Sequence, residues 1–322
     1  MRIIVAAVLA LAAAAASAQG YPNRPVRVVV PWPPGQATDI AARIIAAKLQ
    51  ESLGQPFVIE NKPGAGGAIG TEAVAKAPGD GYTLLAASSG PISFMPNLQK
   101  TPYDPLNDLA PISVTCTNSF ALVTRPDFPA ANAREFVAQV KANPDKYAFS
   151  SSGTGATAHL IAELFNSMAG IRARHVPYKG SAPALTDVIN GQIDYTLETV
   201  AAVSPHVRSG KLKLLGVTVA KGSSAFPDAP SLAKAADIPG YDIGAWIGYA
   251  ASPGTPKEIT HRLASEIAKA IKDPQVRERM LSLGLEPTSM TPEEMTAFLK
   301  KEQQRYGDII RAANISIGEG NK

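Results

Sequence analysis

Three loops in this sequence combine glycine with hydroxyl side chains at points where an apolar run gives way to a helix-like pattern. They are Val30–Asp39 (VPWPPGQATD), Ser150–His159 (SSSGTGATAH) and Val176–Pro183 (VPYKGSAP). At a helix N-terminus, unpaired backbone N–H groups and the helix dipole favour an anion. Glycine lets a ligand approach the backbone, and hydroxyls add hydrogen bonds. The loops indicate an anion site made largely of backbone amides, although such residues also make ordinary turns and caps.

The free energies involved favour a site made of more than one loop. Taking a carboxylate out of water costs several kcal/mol. One helix terminus returns about 0.3–2 kcal/mol through its dipole, and each charge-assisted hydrogen bond returns about 1.5–3 kcal/mol. A single loop is therefore a weak site. Two loops that close from opposite domains could hold the anion without any arginine, and loops after parallel strands lie where such crevices form.

The first loop also contains an acid, which needs an explanation in a site for anions. Asp39 falls in the first turn of the predicted helix, where the helix dipole favours it. Its charge can be used by the loop's own N–H groups or by an ordered water, without facing the ligand. The prolines and Gly35 predict a stiff turn that presents the amides of residues 36–38. Trp32 predicts an apolar wall whose indole N–H is available to a ligand or water.

The sequence lacks the patterns of common hydrolases and of metal or nucleotide sites. It has no G-x-S-x-G, its four histidines form no H-E-x-x-H, and Cys116 is its only cysteine. Gly64–Gly70 follows a strand and opens a helix but lacks the Lys-Ser/Thr ending of a phosphate loop. Ser151 and His159 have no acid placed to orient them as nucleophile and base, so His159 is expected to bond a ligand or a loop. The sequence predicts no catalytic residue, no metal and no cofactor.

Short β-branched runs alternate with amphipathic segments along the chain. This order predicts parallel sheets with helices on both faces, hence an α/β fold of two doubly wound domains with a cleft between them. The tail adds three helices, two of which begin with capping boxes at Thr255–Glu258 and Thr291–Glu294. The predicted strands are Val26–Val30, Phe57–Glu60, Thr83–Ala87, Ile112–Thr115, Ala121–Thr124, Tyr147–Ser151, His175–Tyr178, Tyr195–Glu198, Leu214–Thr218 and Ile243–Ala251. The other predicted helices are Asp39–Leu53, Ile69–Lys76, Ala133–Ala142, Ala156–Ala169 and Ala182–Asn190.

The alternation divides the mature chain into two domains. Residues 19–118 and 224–322 form the first domain, and residues 119–223 form the second. Two chain crossings then join the domains. Such an arrangement suits hinge motion about a cleft.

Residues 1–18 have the features of a secretory signal peptide. Arg2 precedes an apolar core, Ile3–Ala16, and the small residues Ala16–Ala18 form an A-x-A cleavage site. No later segment approaches the ~20 apolar residues of a membrane span. The mature protein is expected to be periplasmic, soluble and monomeric. Without Arg2 the net charge falls from +4 to +3, and the scattered basic residues indicate no nucleic-acid partner.

Seven sequence blocks carry a resemblance to a known family. In chain order they are VPWPPGQATD (30–39), NKPGAGG (61–67), DGYTLL (80–85), YDPLNDLAPIS (103–113), SSGTGATAHL (151–160), HVPYKGSAPALTD (175–187) and SPGTP (252–256). With these blocks the mature chain resembles the TctC-like periplasmic binding proteins of tripartite tricarboxylate transporters, the Bug family. The resemblance implies a type II-like Venus-flytrap binding protein without catalytic activity. Similar proteins hold a small organic carboxylate between the first loop and the loop at 151–159.

The resemblance also assigns ligand-binding roles to residues on both sides of the cleft. The first domain contributes Gly35, Ala37, Thr38, Asp39, Ser88 and Ser89. The second domain contributes Ser151, Gly153, Thr154, Ala156 and His159, with Tyr178, Gly180 and Ser181 along the wall. Trp32 adds the apolar surface described above.

Two further positions bear on the choice of ligand. The family usually has a glycine where this chain has Gln36, whose side chain points either into the pocket or out to solvent. Glu198 follows a predicted strand at a place where relatives often have Asp. If Glu198 faces the cleft, it pairs with an amino group of the ligand or repels a second carboxylate. The alternative is that Glu198 is a surface acid.

The sequence thus predicts a protein that captures a small carboxylate and delivers it to the membrane subunits of a transporter. The alternative is a periplasmic sensor that docks on a signalling receptor when loaded. Such a sensor would use the same pocket, so the sequence does not separate the two roles. An exported enzyme would in addition need to turn over the bound carboxylate. The sequence leaves open whether the ligand is an aliphatic acid, an aromatic acid or an amino acid.

Overall fold

Two mixed β-sheets organise the chain, and each is assembled from apolar runs that alternate with helices. The computed structural model describes residues 20–313. The predicted signal peptide, residues 1–18, lies outside the described residues. No helix within residues 20–313 combines the length and apolarity that crossing a membrane requires.

The first sheet has six strands in the spatial order β11-β4-β10-β3-β1-β2. β1 pairs in parallel with β2 and β3, whereas β10 runs antiparallel between β3 and β4. Most side chains of these strands are buried, as expected for a sheet covered on both faces. The strands are β1 (Val26–Val30), β2 (Phe57–Asn61), β3 (Thr83–Ser88), β4 (Ala110–Asn118), β10 (Ala245–Ala251) and β11 (Leu285–Pro287).

The second sheet has five strands in the order β7-β6-β8-β5-β9. β6 pairs in parallel with β7 and β8, and β5 runs antiparallel between β8 and β9. We call the two sheets, with the helices that cover them, the first and second lobes. The strands are β5 (Phe120–Thr124), β6 (Ala148–Ser151), β7 (Arg174–Pro177), β8 (Tyr195–Thr199) and β9 (Lys213–Val217).

Helices from both ends of the chain cover the first sheet. Ile45 and Leu49 of the first helix share one apolar core with Leu263 and Ile267 from the tail. This shared core is why the tail belongs with the first third of the chain. The helices are α1 (Ala37–Leu53), α2 (Ala68–Ala75), α8 (Lys257–Lys272), α9 (Pro274–Ser282) and α10 (Pro292–Ala312).

The second sheet is covered by helices from the middle of the chain. Phe136, Phe149, Phe165 and Tyr195 form the aromatic centre of its core. The helices are α3 (Ala133–Lys141), α4 (Thr157–Ala169), α5 (Ser181–Ile189), α6 (Val200–Arg208) and the short α7 (Leu232–Ala235).

Two adjacent chain crossings join the lobes. One runs through Ser119, between β4 and β5, and the other runs from β9 to β10. Backbone hydrogen bonds tie the crossings together: Thr218 N–H donates to Phe120 O (2.9 Å), and Ile243 N–H donates to Thr218 O (3.1 Å). A third connection is side-chain packing, because Phe94 and Tyr306 of the first lobe, whose ring centroids are 3.9 Å apart, share the apolar core of the second sheet.

The predicted α/β fold with two sheet-based lobes is confirmed, with two short elements, α7 and β11, that were not predicted, and three further details differ. The sheets are mixed, because β5 and β10 follow the chain crossings and run against their neighbours. Helix α6 was not predicted, since Pro205 lies inside it and interrupts the helical pattern. The capping box at Thr255 is wrong: its hydroxyl donates to Ser252 O (2.8 Å), and α8 begins after Pro256.

The domain limits remain a prediction. The structure shows how residues near the predicted limit at 224 pack. Leu232, Ile238 and Tyr241 share the apolar core of the second sheet. This segment therefore returns across the second lobe before the chain enters β10.

The capping box at Thr291 is confirmed, and it predicts a measurable stability effect. Thr291 Oγ1 accepts from Glu294 N–H (3.2 Å), and Glu294 Oε2 accepts from Thr291 N–H (2.8 Å). Thr291→Ala leaves the first turn of α10 with an unsatisfied N–H, and we expect it to lower the free energy of unfolding by about 1 kcal/mol. Urea unfolding measures the loss. The control is Thr186→Ala, an exposed helical threonine that bonds only Ala182 O; equal losses in both variants would contradict the capping role.

Candidate functional site

The predicted loops meet in a cleft between the lobes, which has an inner and an outer part. The inner cavity, about 30 Å³, lies near the chain crossings. The outer cleft, about 610 Å³, lies between the first loop and Gly64–Gly67 on one side and the loops after β6 and β7 on the other. Trp32 and Ser152 border both parts. The inner cavity is lined by Trp32, Gln36, Ala37, Thr38, Ser88, Ser89, Asn118, Phe120, Ser152, Thr157, Ala158, Glu198, Thr199, Ala245, Trp246 and Ile247.

Three helices point their N-termini at the inner cavity. In the described chain, α1, α4 and α6 have no side-chain cap at this end. The first intrahelical hydrogen bonds are donated by Ile40 in α1 and by Leu160 in α4. The three amides before each of these residues therefore lie ahead of the ladder. The start of α6 is tied to the crossing, because Val200 N–H donates to Ser119 O (3.1 Å).

Asp39 is turned away from the cavity and holds the first loop from behind. Its side chain is 2% exposed, and its Oδ2 accepts from Gly35 N–H (2.9 Å), where Gly35 has a φ of 83°. Arg43 and Asn61 also donate to the carboxylate, at 2.9–3.1 Å. Burial raises the pKa of Asp39, but these hydrogen bonds outweigh it and hold the pKa below the ordinary value. The charge of Asp39 is thus used to bind groups of the loop and its neighbours, as the sequence indicated.

Trp32 forms an apolar wall, but its indole N–H is not available as predicted. Trp32 Nε1 donates to Ser88 Oγ (2.9 Å), which fixes the ring against the end of β3. Asn61 Nδ2 in turn donates to Trp32 O (2.9 Å). The ring is therefore a rigid surface between the inner cavity and the outer cleft.

Gln36 points into the pocket and not out to solvent. It is the N-cap residue of α1, is 8% exposed, and lines the inner cavity. Within residues 20–313, its Nε2 has no hydrogen-bond partner. A donor that a glycine could not provide is therefore present at this position.

The second-lobe loop contains two stacked histidines that serve the loop itself. Ser151 Oγ lies 2.7 Å from His175 Nε2, so the Ser151–His159 pair considered from the sequence does not form. His159 Nδ1 accepts from Gly155 N–H (3.2 Å), and its ring stacks on His175 at 3.9 Å. Burial, with the neighbouring His159, lowers the pKa of His175 to about 3. His175 is therefore neutral at physiological pH, and its half-buried ring packs against His159.

Glu198 is not a surface acid, because it lies at the end of β8 and lines the inner cavity. It is 2% exposed, and its Oε1 accepts from Thr199 N–H (2.7 Å). Burial raises its pKa, and the nearby hydroxyls of Ser181, Ser152 and Thr199 counteract this only in part. No salt bridge to Glu198 exists among the described residues.

The predicted site residues fall into three groups. Those at the inner cavity are Trp32, Gln36, Ala37, Thr38, Ser88, Ser89 and Glu198. Those at the outer cleft are Trp32, Gly153, Thr154, Ala156, Tyr178 and Gly180. Those that support the loops or pack behind them are Gly35, Asp39, Ser151, His159 and Ser181. Their roles in ligand binding remain predictions.

The structure adds residues that sequence reasoning missed. Ser152, Thr157 and Ala158 lay inside a quoted loop, so the loop pattern could have included them. Asn118 and Trp246 gave no local signal, because they reach the cavity only through the chain crossings and the central position of β10.

Three glycines lie where the lobes touch across the cleft. A Cβ built on Gly66 would lie 3.2 Å from Gly155 O, and one on Gly180 would lie 3.0 Å from Pro33. A Cβ on Gly90 would lie 2.8 Å from the Thr157 hydroxyl. The absence of a Cβ at these three positions therefore lets the lobes come close together, and any larger residue would push them apart.

The contacts of Asp39 predict a pH-dependent stability. Since folding lowers its pKa, its contribution is complete above the unfolded pKa and is lost as pH falls through the folded pKa. Asp39→Asn should cost about 1–2 kcal/mol at neutral pH, and the gap to the wild type should begin to narrow only below about pH 4, the ordinary pKa of an Asp. Unfolding curves across pH measure this. Asp127→Asn, which removes an exposed pair with Arg125, is the control and should change little; a pH-independent gap for Asp39→Asn would contradict the assignment.

Comparison with known proteins agrees with this architecture. Residues 41–315 match the model of the tripartite tricarboxylate transporter family receptor, TctC. The protein BugT of Bordetella pertussis is 38% identical over 310 residues, which cover 95% of this chain and 94% of BugT.

Two solved structures with ligands are also similar. Rpa4515 of R. palustris, solved with adipate, is 33% identical with a TM-score of 0.88, over 92% of this chain and 99% of that one. MatC of Rhodopseudomonas palustris, solved with bound malate, is 31% identical with a TM-score of 0.83, over 90% and 100%. These relatives are binding proteins and not enzymes, and the family is periplasmic. The match over most of the chain shows that it belongs to the tripartite tricarboxylate transporter receptor family.

Proposed function

We propose that this protein captures a small organic carboxylate in the cleft and delivers it to a tripartite tricarboxylate-type membrane transporter. The observation that carries the proposal is the convergence of uncapped helix N-termini from both lobes on one cavity. Residues 37 and 38 at the start of α1 line the cavity from the first lobe, and residues 157 and 158 at the start of α4 line it from the second; their amides lie ahead of the helix ladders. Backbone N–H groups at helix starts bind carboxylates.

The energetics favour a ligand held by both lobes. Desolvating one carboxylate costs several kcal/mol, whereas charge-assisted hydrogen bonds return about 1.5–3 kcal/mol each. Two or three such bonds, shared between α1 and α4, offset the cost. Because these bonds come from both lobes, ligand binding and lobe closure are coupled. Adipate in Rpa4515 and malate in MatC support this class of ligand.

The proposal includes the path of the ligand. The inner cavity is narrow, so ligand entry needs the lobes to separate about the two crossings.

We infer that residues 1–18 direct export and are removed, that the mature protein acts as a monomer, and that membrane subunits accept the closed, loaded form. Mass spectrometry of the exported chain, which should begin at Gln19, tests the first step.

A titration tests carboxylate binding directly. Refolded protein, freed of bound solute, is titrated with dicarboxylates, monocarboxylates and amino acids, and tryptophan fluorescence and melting temperature are recorded. We expect at least one carboxylate to change both. Trp32→Phe assigns the fluorescence change, since Trp246 also borders the cavity. If no compound changes either signal, the proposed function is wrong.

Delivery to a transporter is tested by uptake in cells. A strain that lacks this chain should lose uptake of the bound carboxylate and recover it with the wild-type gene. Normal uptake, together with loss of a transcriptional response to the carboxylate, would favour the sensor role instead.

A single amide can be removed to test the helix-terminus mechanism. Ala37 is the first residue of α1, where proline is tolerated, and Gln36 before it is extended (φ −76°, ψ 159°). Ala37→Pro deletes one cavity N–H, and we expect it to weaken carboxylate binding about 10- to 100-fold. Ala133→Pro makes the same change at the first residue of α3, away from the cleft, and should not alter affinity. Unchanged affinity in a folded Ala37→Pro variant would show that this amide does not bind the ligand.

A further inference from the structure

The inner cavity carries more polar groups than a single carboxylate can use. Besides the helix amides, six residues that line the cavity each have a side-chain atom with no hydrogen-bond partner within the described residues; two of them, Asn118 and Trp246, also line a neighbouring cavity of about 410 Å³. Buried polar groups without partners are costly, so each suggests a group of the ligand or a water. The atoms are Gln36 Nε2, Ser89 Oγ, Asn118 Oδ1, Glu198 Oε2, Thr199 Oγ1 and Trp246 Nε1.

These atoms differ in the kind of group they can bind. Gln36 Nε2 and Trp246 Nε1 are donors, and they add to the donors already provided by the helix amides. Asn118 Oδ1 is an acceptor, and Glu198 Oε2 is an acceptor when the carboxyl is ionised. The hydroxyls of Ser89 and Thr199 can act either way. The cavity thus combines many donors with one amide oxygen and one carboxyl oxygen.

The charge around Glu198 narrows the ligand further. Its neighbours Ser152, Ser181 and Thr199 are uncharged. Within residues 20–313, no Lys, Arg or His side chain lines the inner cavity. Lys179 lines only the outer cleft. A second carboxylate of the ligand would therefore meet Glu198 with no cation between them, and like charges at such a site oppose each other strongly.

We propose that the preferred ligand is an amino carboxylate, whose carboxylate is held by the starts of α1 and α4 and whose ammonium group binds Glu198 and Asn118. This inference rests on the proposed function and specifies its ligand class. An ammonium supplies the donors and the positive charge that this end of the cavity lacks. It also lets a buried carboxylate ionise without a protein cation, which is the condition under which a buried charge is tolerated.

Matched pairs of ligands test the proposal by calorimetry. β-Alanine, 4-aminobutyrate and 6-aminohexanoate are compared with malonate, succinate and adipate, in which a second carboxylate replaces the terminal aminomethyl group. L-Alanine and L-glutamate are compared with L-lactate and L-2-hydroxyglutarate, which replace it by a hydroxyl. We expect the best amino ligand to bind at least tenfold tighter than its partner.

Glu198→Gln identifies the source of this preference, because it keeps the shape of the side chain and removes the charge. The variant should bind the best amino ligand at least tenfold more weakly and bind the matched dicarboxylate more tightly. Glu278→Gln, at an exposed position on α9, is the control and should leave both affinities unchanged. If Glu198→Gln keeps the wild-type preference, Glu198 does not bind the ammonium and the proposal is wrong.

Proton exchange gives a second readout. An ammonium beside Glu198 favours the ionised carboxyl and should release any proton that it carries, whereas a second carboxylate favours the protonated form and should cause proton uptake. Calorimetry in two buffers of different ionisation enthalpy distinguishes the two signs, and Glu198→Gln should show neither. If the dicarboxylates or hydroxy acids bind best, the amino-carboxylate class is wrong while carboxylate capture stands. If no compound of either series binds, both proposals fail.

Discussion

The pairing of helix amides across the cleft is the interaction on which the rest of this structure depends. α1 and α4 each begin without a side-chain cap, so each leaves N–H groups directed at the same small volume. Neither helix start can satisfy the hydrogen-bonding groups of the other, because both present N–H donors. A third component has to complete the set, and the two sheets, their crossings and the shared tail helices all serve to bring these two helix starts together.

The charges near the cleft are divided between two places with opposite consequences. Asp39 lies behind the first loop with Arg43 and Asn61, so its charge is neutralised by the protein and its effect is mechanical. Glu198 lies at the cavity with hydroxyls around it, so its charge is left for a ligand to compensate. One acid shapes the site, and we propose that the other selects what enters it. Two acidic side chains thus have different surroundings, which set different roles.

The sequence was informative for most of the local structure, the cap predicted at Thr255 excepted. The strand and helix series, the cap at Thr291 and the turn at Gly35 all follow from neighbouring residues. The features that the sequence could not predict depend on contacts between residues that are distant in the chain. The antiparallel insertion of β10 brings Trp246 to the cavity. The alignment of β6 with β7 brings the Ser151 hydroxyl within hydrogen-bond distance of the His175 ring, and Ser151 does not bond His159. Helix α6 was not predicted, because Pro205 lies in its interior and proline there usually breaks a helix.

The glycines at the lobe contacts have a consequence for how quickly a captured molecule is released. Gly66, Gly90 and Gly180 bring backbone against the opposite lobe without contributing side chains of their own. These three positions therefore add little apolar area to the contact between the lobes. Under the proposed function, the bonds to the cargo then contribute more to the lifetime of the closed form. Such an arrangement would suit a protein that releases its cargo at a membrane, because loss of a few amide contacts weakens the closed form.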